Sequence, residues 1–600
     1  MLQNGYSKIV TILLLTYLIV LPTNVDKGII MINIQAAIVG KYPSIDKLPQ
    51  PLKVPLFGTI KKMIHQNDIN LFLQEHEHCG PFSFIESVLE YFNFSYKVSS
   101  NQIENIPVSG RVVIIANHPL GALDALSLID LVKSVRKDIK IVANDMLGQI
   151  PQLRPILISI DAFGSKISKE SVQKVYDALD KEEVVIIFPS GEVSRARPHG
   201  VRDTRWNKGF LNFALKKDAP ILPIYIKAKN STFFYTLSSL NKRLSTALLP
   251  HEMFSQRSKT LEFKIGEMIP YKSFSHSNFD AKTQVKLFKK HLYRIAKNRK
   301  PIFATQKCIA HPEDRQTLKE ELKESQLLGA TKDGKEIYLY AHDNESAIMR
   351  EISRLRELTF RKVEEGTGNK RDSDGFDNYY KHIVLWDEEA LEIVGSYRIG
   401  ESNFIFKNYD FEGFYSDSLF HFHPEFEKYL NNSIELGRSF VQPKYWGSRA
   451  LDYLWQGIGA YLHQNPHIKY MFGPVSLSAS LPKGAQNLIL YYYDHYYGNN
   501  QGLLSPDKKF VFSKVESEEL KELFIGDDAK KDFITLKEQL NCYGVSVPTL
   551  YKQYTDLCDE GGISFLGFNI DVKFNDCVDS FILVEIDKIK EKKRERYIKG

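Results

Sequence analysis

His118 and Asp124 are the residues of this 600-residue chain whose type and spacing best suit proton transfer. They lie in Arg111–Ala125, RVVIIANHPLGALDA. That stretch reads as a buried strand over Val112–Ala116, a sharp stop across Asn117, His118, Pro119, Leu120 and Gly121, and the start of a helix. A histidine takes a proton from a hydroxyl near neutral pH because its unperturbed pKa lies close to ambient. A carboxylate on the other ring nitrogen fixes the tautomer and steadies the imidazolium that forms, as in a triad without its serine. The activated hydroxyl would then belong to the substrate. The plain structural alternative is a capped helix after a strand, with an incidental histidine.

A second block, Phe188–Arg195 (FPSGEVSR), follows the apolar strand Val184–Ile187 and breaks at Pro189 and Gly191. Gly191 lets backbone N–H groups approach an anion, and Glu192, Ser194 and Arg195 crowd the same turn. A third apolar run, Ile221–Ile226, follows a polar turn with Trp206, Lys208 and Gly209. Polar blocks at the ends of buried strands are the layout of an α/β site.

The second half holds another constellation. Asn432–Tyr461 reads as a strand (Ser433–Val441), a short turn and a helix, with Glu435 and Arg438 on the strand and Gly447 in the turn. Backbone N–H groups at such a helix start suit a phosphopantetheine or pyrophosphate. Upstream, Arg354, Arg356, Phe360 and Arg361 precede a loop carrying Asp374, Asp377 and His382. Ordinary strand–helix packing is the alternative for Glu435 and Arg438.

Both halves resemble known families. N-H-x-x-G-x-x-D, F-P-x-G-E-x-S-R and P-I-L-P-I, within Met31–Lys300, resemble the glycerophosphate and lysophospholipid acyltransferases. The resemblance implies a catalytic His118–Asp124 pair facing a donor thioester. It also implies an acceptor subsite from Asn117, Gly121, Phe188, Pro189, Gly191, Glu192, Ser194 and Arg195. His118 and Asp124 enclose five residues where the commoner spacing has four, which resembles the branch acting on amino-acid-containing lipids. Within Lys332–Lys590, L-R-E-L-T-F-R, D-G-F-D, V-G-S-Y-R and E-L-G-R-S-F-V resemble N-acyltransferases of the GNAT superfamily, in the autoinducer-synthase-like branch. That likeness implies Arg356, Asp377, Glu435, Arg438 and Gly447 in an N-acyl-transfer site. The usual pyrophosphate loop survives only as Lys444–Arg449, which favours acyl carrier protein over coenzyme A as donor.

The expectation is therefore an α/β acyltransferase-like domain followed by a GNAT-like α+β domain, jointly making an acylated amino-acid lipid of ornithine or glycine type. The second would N-acylate the amino acid with a 3-hydroxyacyl group, Glu435 or a water taking the proton and Arg438 holding a carboxylate. The first would O-acylate the new 3-hydroxyl, with backbone N–H groups near Gly191 on acceptor or oxyanion. Alternatives are a lysophospholipid acyltransferase with an accessory GNAT-like domain, and a catalytically dead membrane-binding scaffold. Expected partners are an acyl carrier protein, a membrane lipid surface and a small amino-acid or lyso-lipid acceptor. No tightly bound cofactor is expected.

The elements that must position these residues follow from length and patterning. Six hundred residues exceed one core, so domains are expected at 31–300 and 327–600, with a linker at 301–326 and an apolar leader or unused start at 1–30. At 43% apolar and 12% aromatic the chain is neither disordered nor a multispan membrane protein, and a net charge of +6 argues against a dedicated nucleic-acid binder. The leader's apolar run, Ile9–Leu21, is short for a span, so a peripheral or briefly anchored protein on the cytoplasmic face of the inner membrane is expected. The basic end, Lys588–Lys599, reads as a solvated helix end or a contact for an anionic surface or acidic carrier. Ser168–Leu179 is predicted as a crossover helix, and His382–Trp386 with Glu392–Ile399 as a hairpin. Five scattered cysteines without C-x-x-C fit a reducing cytosol, and His76, His78 and Cys79 in one turn are not expected to hold a metal. No P-loop, G-x-S-x-G or complete calcium loop occurs.

Overall fold

The structure is a computed structural model that describes residues 23–600 except 27–28, 34, 36–38, 40–45, 47, 64, 145–149, 161–167, 199, 241–247, 342–345, 500, 527, 575 and 599–600. The apolar leader Ile9–Leu21 lies outside the described residues. No helix among the described residues is long and apolar enough to cross a membrane. The chain divides into two units, Met1–Cys308 and Ile309–Gly600.

In the first unit, seven strands form one sheet: β1 (Ser95–Lys97), β2 (Val112–Ala116), β3 (Ile139–Asn144), β4 (Leu157–Ile160), β5 (Val184–Ile187), β6 (Ile221–Lys227) and β7 (Thr260–Ile265), in the order β1-β7-β6-β2-β5-β3-β4. The five strands from β6 to β4 run parallel, with Val112 opposite Val184 and Val113 opposite Ile221. Strand β2 is apolar throughout and buried at every position, as a central parallel strand covered on both faces must be. Its side chains alternate between two cores. Val112, Ile114 and Ala116 meet α1 (Pro81–Tyr91) and α2 (Ala122–Lys133). Val113 and Ile115 meet α3 (Lys169–Asp180), α4 (Gly209–Lys216) and α5 (Ala281–Ile295). Helix α3 is the predicted crossover, capped by Ser168 accepting from the Ser171 N–H. Because β2, β5 and β6 are parallel, the residues after each, His118, Phe188–Arg195 and Asn230, emerge at one edge of the sheet.

The second unit is built on eight strands: β8 (Gln326–Ala330), β9 (Lys335–Ala341), β10 (Lys381–Asp387), β11 (Glu392–Glu401), β12 (Ser433–Val441), β13 (Tyr470–Leu477), β14 (Ile563–Asp571) and β15 (Cys577–Glu585). Their order is β8-β9-β10-β11-β12-β13-β15-β14. The predicted hairpin is β10–β11. Ile383 and Leu385 face a core shared with α7 (Ala450–Gln464), while Val384 and Trp386 face α6 (Ala347–Lys362). Part of the stretch read as a linker, 301–326, is a helix, Arg315–Lys323, whose Leu318 and Leu322 enter that second core.

Every pairing in this sheet is antiparallel except β12 with β13. Those two pair in parallel over three positions only, from Ser433 opposite Tyr470 to Glu435 opposite Phe472. Beyond them β12 follows β11 and β13 follows β15, so a wedge opens between Leu436–Val441 and Gly473–Leu477. Gly473 sits at its apex: a Cβ there would lie 2.0 Å from the Leu436 carbonyl oxygen. A Gly473→Ala substitution should therefore push the strands apart and destabilise the second unit by about 1–3 kcal/mol. The check is a lower urea midpoint at unchanged slope.

Candidate active sites

At the first site the backbone turns sharply at Gly121, whose φ of 110° favours glycine. Three residues on, Asp124 is fully buried in the first turn of α2, and its carboxylate accepts from the N–H groups of Leu120 (2.8 Å) and Gly121 (3.2 Å). Those are donors that a helix start leaves without an intrahelical partner. The same carboxylate approaches His118: Oδ1 lies 3.1 Å from Nδ1. The ring's N–H points off that line, so the contact is a charge approach rather than an aligned hydrogen bond. Such contacts are commonly loose before substrate binds. With Nδ1 turned to the carboxylate, Nε2 is the atom left to take a proton. Burial disfavours the imidazolium, but Asp124, with Asp203 behind it, more than compensates, and the pKa of His118 is raised.

The FPSGEVSR block closes over this histidine. The Phe188 ring lies 4.2 Å from the imidazole, and the Ser194 N–H donates to the His118 carbonyl at 2.6 Å. The hub of the contact is Asp203. Its carboxylate accepts from the His118 N–H (3.2 Å), the Ser194 hydroxyl (2.5 Å) and the Trp206 indole (2.8 Å). Gly191 has a φ of 64°, and its own N–H closes the turn on the Phe188 carbonyl, so any anion contact at this turn falls to the N–H groups beside it. Likewise the Pro189 carbonyl accepts from Asn207. Asn117 bonds the Ile226 backbone in both directions, its amide donating at 2.9 Å and accepting at 2.7 Å. It prolongs the sheet, with both ends of the amide engaged on Ile226. Glu192 accepts from Thr204 and lies 3.8 Å from Arg195, which also donates to Ser238 and stacks over Phe234.

In the second unit, arginines and aspartates alternate beneath the wedge. Arg356 of α6 donates to Asp377 (2.7 Å), and Arg398 of β11 donates to Asp377 (3.0 Å) and Asp374 (2.6 Å). Arg438 of β12 donates to Asp372 (3.1 Å) and Asp374 (3.5 Å). Burial would lift the Asp377 carboxyl, but Arg356 and Arg398 hold it well below the usual carboxylate range. Arg356 and Asp377, expected at the substrate, thus bind one another inside the protein. Glu435 is corrected more firmly. Its buried carboxylate accepts from the Tyr380 hydroxyl and from the N–H groups of Ser416 (2.7 Å) and Tyr415 (3.2 Å), which occupy the lone pairs a base would use. Arg438 reaches the wedge through a bulge with φ of 49°, its guanidinium lying between the rings of Tyr415 and Phe574. Gly447, at φ 77°, lies in an exposed turn just before α7. Asp579 of β15 is buried, accepts from Ser476 of β13 at 2.6 Å, and is pushed up to about 7 by burial, with Asp571 and Glu365 adding to the rise. Glu365, raised to about 7 by burial, is the second such carboxyl.

Comparison with known proteins separates the halves in the same way. Residues 41–300 match the acyltransferase family and residues 355–456 the acetyltransferase (GNAT) domain. A glycine N(alpha)-acyltransferase of Bacteroides thetaiotaomicron is 35% identical over 48% of this chain and 89% of its own length. The chain belongs to the acyltransferases. A lyso-glycine lipid O-acyltransferase of the same organism is 31% identical over 39% of this chain and 89% of its own length. An L-ornithine N(alpha)-acyltransferase of Brucella abortus is 29% identical over 40% and 82%.

Sequence reasoning did not find the hub of the first site in this acyltransferase. Asp203 lies among charged residues with no motif around it; only the neighbouring Trp206 stood out. Arg398 closes the V-G-S-Y-R stretch, which was its available signal, whereas Asp579, beside Ser580 in a mostly apolar strand, gave none. The basic end forms α8 (Glu591–Tyr597), docked on α7 through bonds from Arg596 (2.6 Å) and Tyr597 (2.8 Å) to Asp452, so those groups are engaged within the fold. No cluster of three or more metal-type ligands occurs among the described residues.

The raised pKa of His118 sets a pH dependence. The protonated ring is stabilised below the ordinary histidine value of about 6.5, and that stabilisation is lost as pH rises through the higher folded value. Catalysis that needs the neutral ring must follow the opposite limb, with kcat/KM rising with pH. Asp124→Asn should move the inflection to lower pH while lowering the plateau, measured as the pH profile of acyl transfer by wild type and variant.

Proposed function

We propose that this acyltransferase makes a doubly acylated amino-acid lipid, the second unit forming the amide and the first the ester. The observation that carries the reading is that one chain resembles both a glycine N(alpha)-acyltransferase and a lyso-glycine lipid O-acyltransferase. Glycine-type amino acids are accordingly the favoured acceptor over ornithine, whose N-acyltransferases match at lower identity.

In the second unit an amino acid's amine attacks the thioester carbonyl of a 3-hydroxyacyl donor. The C–N bond forms, the C–S bond breaks, and thiol leaves. The wedge receives the donor's extended, amide-bearing arm, because diverging strands leave edges that can pair with it. The proton released by the amine goes to Asp579. An ordinary carboxylate, near 4, is poorly matched to an α-amino group near 8. A carboxyl at about 7 is a much closer match. Arg438, whose Nε carries no partner among the described residues, stands beside this position for the amino acid's carboxylate. The product carries a free 3-hydroxyl. In the first unit His118 Nε2 takes that hydroxyl's proton as the oxygen attacks a second thioester, then returns it to the leaving sulfur. Asp124 keeps the ring oriented and stabilises its charge. The donor is a thioester of acyl carrier protein or coenzyme A, delivered at the cytoplasmic membrane face where the product belongs.

Two substitutions separate the steps. His118→Ala should leave N-acylation intact and accumulate the mono-acylated lipid, with O-acylation down about 10²–10⁴-fold. Asp579→Asn should depress amide formation and abolish its rise near pH 7, leaving O-acylation of supplied mono-acyl lipid unchanged. Mass spectrometry of lipids from an expressing host, and of reactions with purified protein, reads both. Equal loss of the two activities in either variant would overturn the division of labour, and robust acylation of lysophosphatidic acid would favour a lysophospholipid acyltransferase instead.

A further inference from the structure

Helix α5 carries a row of cations that the proposed reaction does not use. Lys286, Lys289, Lys290 and Arg294 recur at helical spacing along it, and with Arg202, Tyr293 and, just past the helix, Lys297 and Arg299 they line an open pocket of about 340 Å³. None of Arg202, Lys286, Lys290, Arg294, Lys297 or Arg299 has a carboxylate within ion-pair distance among the described residues, whereas Lys174, Lys217 and Lys227 of the same unit each do. So much uncompensated positive charge in one concavity attracts anions. The pocket's floor also borders the first site. Lys289 Nζ donates to the backbone carbonyls of Asp203 (2.7 Å) and Thr204 (2.5 Å), and the Tyr293 hydroxyl accepts from the Asp203 N–H at 2.9 Å. Asp203 is the residue whose carboxylate accepts from the His118 N–H. One residue therefore touches both the pocket floor and the catalytic histidine. The Tyr293 ring packs on Tyr225, near the carboxyl end of β6, which is the end of the sheet where His118 emerges.

We propose that this pocket binds the phosphate at the far end of the acyl donor's pantetheine arm while the thioester lies at His118. This rests on the reading of the first unit as a thioester-using O-acyltransferase. Thioester and phosphate are the two ends of one arm, and the pocket and His118 are the two ends of one set of contacts through Asp203. A phospholipid head group offers the same phosphate chemistry. The pocket lining favours the donor: beyond its cations it has only Tyr293, whose ring lies under Arg202 at 5.2 Å, and it presents no aliphatic or aromatic anchor to enter a bilayer. Burial, offset in part by Asp203 and reinforced by Arg197 and Arg202, lowers the pKa of Lys289, a strain that a bound anion relieves.

The test is calorimetric titration of the full chain with 4′-phosphopantetheine and with pantetheine, which lacks the phosphate. Wild type should prefer the phosphorylated arm by roughly tenfold or more. The preference should shrink as salt rises. Lys286→Glu with Lys290→Glu should abolish it with the thermal melt unchanged, and Lys286→Ala with Lys290→Ala should weaken it, which keeps the test sound should charge reversal disturb folding. Equal binding of the two arms by wild type overturns the proposal. So does an outcome in which the variants lose binding to phosphatidylglycerol vesicles but keep the phosphopantetheine preference, which would make the pocket a head-group site. Binding is read without turnover, so failure of O-acyl transfer from every donor would strike the reading of the first unit and not this measurement.

Discussion

The first unit depends on one carboxylate serving two sets of partners. Asp124 accepts the Leu120 and Gly121 N–H groups that the start of α2 leaves over, and from that fixed position it faces the imidazole of His118. The helix start therefore supplies the rigidity and the carboxylate supplies the charge. Neither works at another spacing, because a residue one step along α2 would point about 100° away around the helix. The left-handed turn at Gly121 brings the strand end and the helix start close enough for this.

The second unit meets a different constraint, a parallel strand pair that must separate. Side chains below the opening lose the neighbours a continuous sheet would provide, and the space is filled by Arg356, Arg398 and Arg438 interleaved with Asp372, Asp374 and Asp377. Such a network is weak as a source of net stability, since desolvating each ion costs several kcal/mol against the attraction regained. Its worth lies in specificity of shape. Each aspartate is shared or capped, so removing one arginine would leave a buried charge uncompensated. The lattice thereby fixes the bulge that carries Arg438 and, through Tyr415, the loop that seals Glu435.

What the sequence disclosed and what it concealed divide along a physical line. Val112–Ala116, Val184–Ile187 and Ile221–Ile226 were legible because buried parallel strands are unbroken apolar runs. The helix after Ser168 was legible from its cap and period, and His118 with Asp124 from a turn that no packing requirement explains. The partners of Asn117, Gly191, Arg356 and Glu435 were not legible for one reason. A polar residue in a motif does not name what it bonds, and here the bonds reach Ile226, Phe188, Asp377, and the trio of Tyr380, Tyr415 and Ser416. Asp203 stayed hidden because it meets His118 across 85 residues of chain, a distance over which no local pattern carries information.

Under the proposed division of labour, one polypeptide needs two kinds of base. A hydroxyl holds its proton far more tightly than any side chain near neutrality, so the group that relieves it must act during attack and hand the proton on; imidazole, with two nitrogens, can be braced on one side and exchange protons on the other. An ammonium gives up its proton close to neutral pH, and a single carboxyl suffices if burial has already raised it most of the way. Asp124 raises the imidazole by adding charge beside it, whereas Asp579 is raised mainly by removing water from around it, with its acidic neighbours adding to the shift. The same rise toward neutrality is thus reached by opposite routes. Each route uses what its fold offers: a helix start that welcomes a carboxylate in one, and a buried strand position in the other.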